Sequence, residues 1–122
     1  MPKDFSRTRR VAEQIRRLLA DIIRSEVKDP RVGVVTVSEV DVSKDLGHAK
    51  VFVTRLNAAS DENEACVEAL NRAAGFIRSI LGRELKARVI PQLHFLPDNS
   101  FERADEIGRL IDQAVAADKK TE

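Results

Sequence analysis

The chain has no Trp and no Tyr, and its only aromatic residues are five Phe. Readers of single-stranded nucleic acid commonly stack bases on exposed rings, so a platform of that kind is disfavoured. Phe52, Phe76, Phe95 and Phe101 also fall inside predicted elements, where a ring is expected in the core. The single cysteine, Cys66, has no partner for an internal bridge. Stability must then come from packing, a usage that suits a reducing cytoplasm. Cys66 lies among Ala65, Val67 and Ala69 and reads as a small core residue. No stretch stays apolar long enough to cross a bilayer, and the N-terminus has no signal-peptide core. A soluble, cytoplasmic monomer is expected, with no membrane contact.

Signs of catalysis are missing as well. Two histidines, His48 and His94, are present, and neither has a Cys or carboxylate at ligand spacing. They read as ordinary structural or surface residues, His48 in a turn and His94 in a strand. Asp41, Asp45, Asp98, Asp105 and Glu106 fit turns, caps and solvent-facing positions. There is no phosphate-loop or dinucleotide glycine pattern. No catalytic residue, metal site or cofactor is expected, and the chain does not read as an enzyme.

What is there fits one domain of 122 residues, with a core from about residue 5 to 115 and a frayed tail at 116–122. The net charge is only +1, but the charges come in blocks. Residues 1–31 carry +4, residues 32–71 carry −4, residues 72–88 carry +4 and residues 89–122 carry −3. Two basic blocks set between acidic ones point to one electropositive face on a neutral body. Solvated helices would give the same pattern.

Val11, Ile15, Leu18, Leu19, Ile22, Ile23 and Val27 recur at helical spacing, with Ser6 or Thr8 as the cap and Asp29-Pro30 as the stop. Arg9, Arg10, Arg16, Arg17 and Arg24 fall mostly on the other side. Val32 to Arg55 reads as a β-hairpin with its turn at Ser43–His48. A slip in its period-2 pattern predicts a bulge near Ser38-Glu39. Asn57–Asn63 is a polar loop, with Ser60 or Asp61 capping the next helix. That helix carries Ala65, Ala69, Leu70, Ala73, Ile77, Ile80 and Leu81. Gly75 inside the run predicts a break at Ala73-Ala74-Gly75. Lys86–Phe95 reads as a third strand, with Val89, Leu93 and Phe95 in one phase and Ile90 in the other. Pro91 makes it an edge strand, and the helical crossover permits parallel pairing. Asp98-Asn99-Ser100 offers a cap for a last helix with Phe101, Ala104, Ile107, Leu110, Ile111, Ala114 and Val115 on one side. The order α-β-β-α-kink-α-β-α predicts an α+β two-layer sandwich, with helices on one face of a three-stranded mixed sheet.

With catalysis and ring platforms set aside, a backbone-directed mode of nucleic-acid binding remains. Arg72, Arg78, Arg83, Lys86 and Arg88 gather around and after the break. Ala73, Ala74 and Gly75 leave room for a polynucleotide backbone to come close. A tight packing contact that needs small residues fits Ala73-Ala74-Gly75 too, and on physics alone is slightly favoured.

The chain resembles the ribosome-binding factor A proteins from about Phe5 to Ile111. The likeness is carried by Arg10-Val11, Asp29-Pro30-Arg31, Thr36-Val37, Ser43-Lys44-Asp45-Leu46, His48-Ala49-Lys50-Val51, Ala73-Ala74-Gly75, Ile77-Arg78, and a run of Arg88, Pro91, Leu93, Phe95, Asp98 and Ser100. The resemblance implies a type II KH-like domain in which an Ala-x-Gly kink replaces the Gly-x-x-Gly loop. It also implies a ribosome-assembly factor that binds the free small (30S) subunit and its 16S rRNA, supports late maturation and rRNA processing, and matters during growth in the cold. Phe52 stands where that family often has Tyr, and the contacts made by the longer basic tail of some members are not expected here. The expected RNA-binding set is Arg72, Ala73, Ala74, Gly75, Arg78, Arg83, Lys86 and Arg88, with Arg9, Arg10, Arg16 and Arg17 second. Two rivals differ in class: a general single-stranded RNA-binding KH module, and an adaptor docking on ribosomal proteins or an assembly GTPase.

Overall fold

Val37, Val40 and Val42 on one strand and Ala49, Val51 and Val53 on the next are all buried, and their alternation fixes which face of the sheet is covered. The computed structural model describes residues 3–98, with side chains from residue 7. The elements are α1 (Lys3–Glu26), β1 (Val35–Val42), β2 (His48–Arg55), α2 (Ser60–Arg72), α3 (Ala74–Glu84) and β3 (Gln92–Pro97). Sheet order is β1-β2-β3, antiparallel between β1 and β2 and parallel between β2 and β3. The expected α+β arrangement with a mixed sheet is the one that forms. The helix predicted after Asp98 and the tail at 116–122 lie outside the described residues.

One face of the sheet takes all the packing. Ile15, Leu19, Ile22 and Ile23 of α1 meet Leu70 of α2, Ile77 and Leu81 of α3, and Leu93 and Phe95 of β3 in a single buried cluster. Burying each such side chain stabilises the fold by about 1.5–3 kcal/mol. The opposite face stays open, and Thr36, Glu39, Asp41, His48, Lys50, Gln92 and His94 are all exposed there.

The bulge falls where the pattern slips. Val37 pairs with Val53 and Glu39 with Phe52, which leaves Ser38 unmatched, and its hydroxyl donates to the Phe52 carbonyl at 3.1 Å. The extra residue brings Val40 back to the inner face beside Val37. In the turn, Asp45 accepts from the Ser43 hydroxyl at 2.7 Å and from the Gly47 N–H at 2.9 Å. These two bonds lower the Asp45 pKa, the Ser43 hydroxyl contributing most.

Four expectations need correction. Helix α1 already runs from Lys3, so Ser6 and Thr8 lie within it. Ala59, not Ser60 or Asp61, holds the cap position of α2; its side chain caps nothing, and the Glu62 carboxylate reaches back to accept the Ala59 N–H at 3.3 Å. His48 opens β2 and is not part of the turn. The third strand starts at Gln92, because Pro91 has no N–H to give a ladder, and the Gln92 N–H makes the first bond, to Gly47 O at 2.9 Å. Before that point the alternation has no sheet to obey. Val89, expected inside, is 44% exposed, while Ile90, expected on the other side, packs on the core.

β3 is an edge strand, and a side chain closes its outer edge. The Asn71 amide donates to Phe95 O at 2.9 Å and accepts the Phe95 N–H at 2.8 Å. One residue of α2 thus supplies the pairing that another strand would have given.

Beyond α1, Arg31 grips Asp29 with a fork. Its Nε donates to Oδ1 at 3.0 Å, its Nη2 to Oδ2 at 2.7 Å, and its backbone N–H to Oδ1 at 3.0 Å. The side-chain bonds first and the backbone bond second hold the Asp29 pKa at about 2, against an ordinary value of 3.8. A carboxyl with a lowered folded pKa stabilises the fold above its unfolded value and loses that contribution as pH falls through the folded one. Asp29→Asn should therefore be less stable than the parent at neutral pH. The gap between their urea midpoints should close between about pH 4 and pH 2.

Candidate nucleic-acid interface

The apolar stripe of α2 continues into α3, but the backbone turns at one residue. Ala73 has φ −89° and ψ 2°, ending α2 and beginning α3. Its N–H donates to Ala69 O at 3.1 Å and its carbonyl accepts from the Ile77 N–H at 2.9 Å. The bend lets Cys66 and Leu70 on one side, and Ile77 and Leu81 on the other, all reach the core. The predicted break is therefore real.

A break inside a helix makes a second helix start. The first amides of a helix lack intrahelical acceptors and carry the positive end of its dipole. At α3 no side chain caps them, and no acidic residue lies in the first turn. Such a start suits an anion. The two explanations for the small residues divide between them. Ala73 and Ala74 are half-buried and packed on the core. Gly75 is exposed, and a Cβ built there would meet nothing within 4 Å. Packing accounts for the alanines and leaves the glycine unexplained, whereas close approach from outside accounts for it.

Phe76 follows directly and is 53% exposed. Reading it as a core ring was wrong. It sits one position off the Ile77–Leu81 stripe, and that phase was the available signal. An exposed ring beside a bare helix start offers a face on which a base can stack.

The basic side chains differ in what already occupies them. Arg72 is exposed, 3.6 Å from Glu68 one turn back. The Arg78 guanidinium is committed to the backbone: Nε donates to Ile90 O and Pro91 O at 3.2 Å each, and Nη2 to Ile90 O at 2.8 Å. It ties Ile90 and Pro91, the approach to β3, to α3. Arg83, Lys86 and Arg88 are exposed and make no ion pair among the described residues. They are the cations readiest to meet phosphate.

On α1 three arginines are engaged along their own helix. Arg16 and Arg17 both pair with Glu13, and Arg24 with Asp21. The two bonds from Arg16 lower the Glu13 pKa. Arg9 lines a recess beside β1 together with Glu39, Asp41 and Lys44. Arg10 is exposed and makes no ion pair among the described residues. Where the C-terminal halves of α1 and α3 meet, the groove between them is lined by Asp21, Glu26 and Glu84. That acidic stretch interrupts the single electropositive face expected from the two basic blocks.

Replacing Arg78 by Ala should cost about 1–3 kcal/mol, because two carbonyls lose their donor. Arg78→Lys should recover only part of this, since an ammonium cannot reproduce the fork. Chemical unfolding of the two variants beside the parent checks the order.

Comparisons with known proteins point to one family. The family model described as ribosome-binding factor A matches residues 7–111. A ribosome-binding factor A of Alkalilimnicola ehrlichii is 57% identical over 120 residues, 98% of this chain and 92% of that protein. One from Nitrosospira multiformis is 56% identical over 119 residues, 98% of this chain and 94% of that protein. The crystal structure of ribosome-binding factor A from Thermus thermophilus matches with TM-score 0.65 at 32% identity, covering 74% of this chain and 94% of that one. A Thermus thermophilus homology model, fitted into the cryo-EM map of a complex of that factor with the 30S subunit, matches with TM-score 0.59 at 33% identity, covering 70% of this chain and 88% of that one.

Proposed function

The chain belongs to the ribosome-binding factor A family, and from that premise we propose that it is a ribosome-assembly factor that binds the free small (30S) subunit through its 16S rRNA. It acts in late maturation and rRNA processing, in the cytoplasm where subunits are assembled, and by binding with no chemical step of its own. One observation carries this reading: an uncapped helix start at an exposed glycine, with no acid in its first turn, followed by a chain segment whose cations have no ion pairs among the described residues.

Phosphates of one rRNA segment lie across the start of α3, where Gly75 lets the backbone approach, and Arg83, Lys86 and Arg88 neutralise those that follow. Phe76 stacks one base without reading its identity. Such a binder favours whichever rRNA arrangement presents that segment, because a ligand shifts an equilibrium only through its unequal affinity for the two states. Preference for one stage of maturation then follows from the shape of the RNA.

The test is co-sedimentation of the purified protein with isolated small and large subunits. Binding to small subunits alone, weakening as salt rises, is the expected outcome. Equal binding to both, or binding indifferent to salt, would reject the reading. Phe76→Ala should weaken small-subunit binding by about 1–3 kcal/mol if the ring stacks a base. Its thermal midpoint should barely move, because the ring is mostly outside the core.

A further inference from the structure

On the open face of the sheet the two histidines come together. Nδ1 of His48 lies 3.0 Å from Nε2 of His94, with ring centroids 5.2 Å apart and ring planes inclined by 28°. The residues are 46 positions apart in sequence, and the parallel pairing of β2 with β3 brings them close. His48 stands opposite Gln92 and His94 opposite Lys50, so the two rings meet on the diagonal. Both are exposed, and no part of the RNA-binding surface described above uses them.

We propose that this pair binds a divalent late transition-metal ion, of the class of Zn²⁺, Ni²⁺ or Cu²⁺, through one nitrogen of each ring. Imidazole nitrogens sit about 2.0–2.1 Å from such an ion. Two of them at tetrahedral or square angles are therefore roughly 3 Å apart, which is the separation found. The two strands hold the facing nitrogens close together, so a turn of each ring is what remains when the ion arrives. At a 3.0 Å contact one facing nitrogen carries hydrogen and the other is bare. Binding needs both facing nitrogens bare, so each ring carries its hydrogen on the far nitrogen and turns until its facing lone pair meets the ion.

The donor set also fixes which ions fit. Two imidazoles suit zinc, copper and nickel, whereas magnesium and calcium need oxygen ligands. No group of three or more His, Cys, Asp or Glu side chains able to hold a metal exists among the described residues. Water fills the remaining positions, and the ion exchanges freely. Lys50, opposite His94 in register, opposes the bound charge.

The full chain, without any histidine tag, should be titrated with Zn²⁺ while the ring nitrogens are followed by NMR. It has only two histidines, so every imidazole signal reports on this pair. Both rings should shift together and saturate at one ion per chain. His94→Ala should weaken Zn²⁺ binding by at least about tenfold, and Lys50→Ala should strengthen it. Cu²⁺ should bind tighter than Ni²⁺, and Ni²⁺ tighter than Co²⁺, while Mg²⁺ leaves the rings unmoved. Zn²⁺ binding to His94→Ala as tight as to the parent, or rings that titrate independently, would overturn the assignment.

Discussion

Gly75→Asp should raise the stability of the protein and abolish much of its binding to the small subunit. Nothing lies within 4 Å of a Cβ at this position, so the fold has room for the side chain. Aspartate is a slightly better helix former than glycine, and a carboxylate in the first turn of α3 complements the helix dipole. Together these should add about 0.5–1 kcal/mol. The same carboxylate occupies the place where an rRNA phosphate is held. Juxtaposed like charges should reduce affinity by roughly tenfold to a hundredfold. Gly75→Asn is the control, of equal size without the charge, and should bind better than Gly75→Asp. Opposite signs for stability and binding are what separate a binding surface from a packing contact, since a packing defect would lower both.

The second large effect comes from reversing Arg83, Lys86 and Arg88 to Glu together. All three are exposed and without ion pairs among the described residues, so the fold should survive their reversal. Losing three phosphate contacts and adding three repulsions should weaken small-subunit binding by roughly a hundredfold or more. Reversing Arg72 and Arg78, the pair sequence position would pick, is a poorer experiment. Arg78 holds the Ile90 and Pro91 carbonyls, and a glutamate there would disturb the approach to β3. Unchanged binding by a folded triple variant would move the interface away from this segment.

Local chemistry was legible in the sequence. The slip of phase at Ser38 marked the bulge, Gly75 marked the break at Ala73, and Pro91 marked an edge strand. Each is a backbone requirement written in one or two neighbouring residues. Contacts between distant residues were not legible. Nothing near Asn71 shows that its amide will close the edge of β3 at Phe95, and nothing near Arg78 shows that it will hold the approach to that strand. Likewise the histidines look isolated until β2 and β3 align. The charge blocks misled for a related reason. Block counts ignore pairing within a helix, and Glu13 alone engages both Arg16 and Arg17. Cations able to meet phosphate are those the fold leaves unpaired: Arg83, Lys86 and Arg88 run from the last turn of α3 onward, whereas Arg16, Arg17 and Arg24 of α1 are paired.

The most direct test measures the salt dependence of co-sedimentation with small subunits for the parent and for the Arg83, Lys86 and Arg88 triple reversal. Each phosphate contact contributes about 0.7–0.9 to the slope of log affinity against log salt. The parent should show a steep slope, and the variant one shallower by roughly 2–3. Equal slopes would mean that these three side chains never touch the RNA.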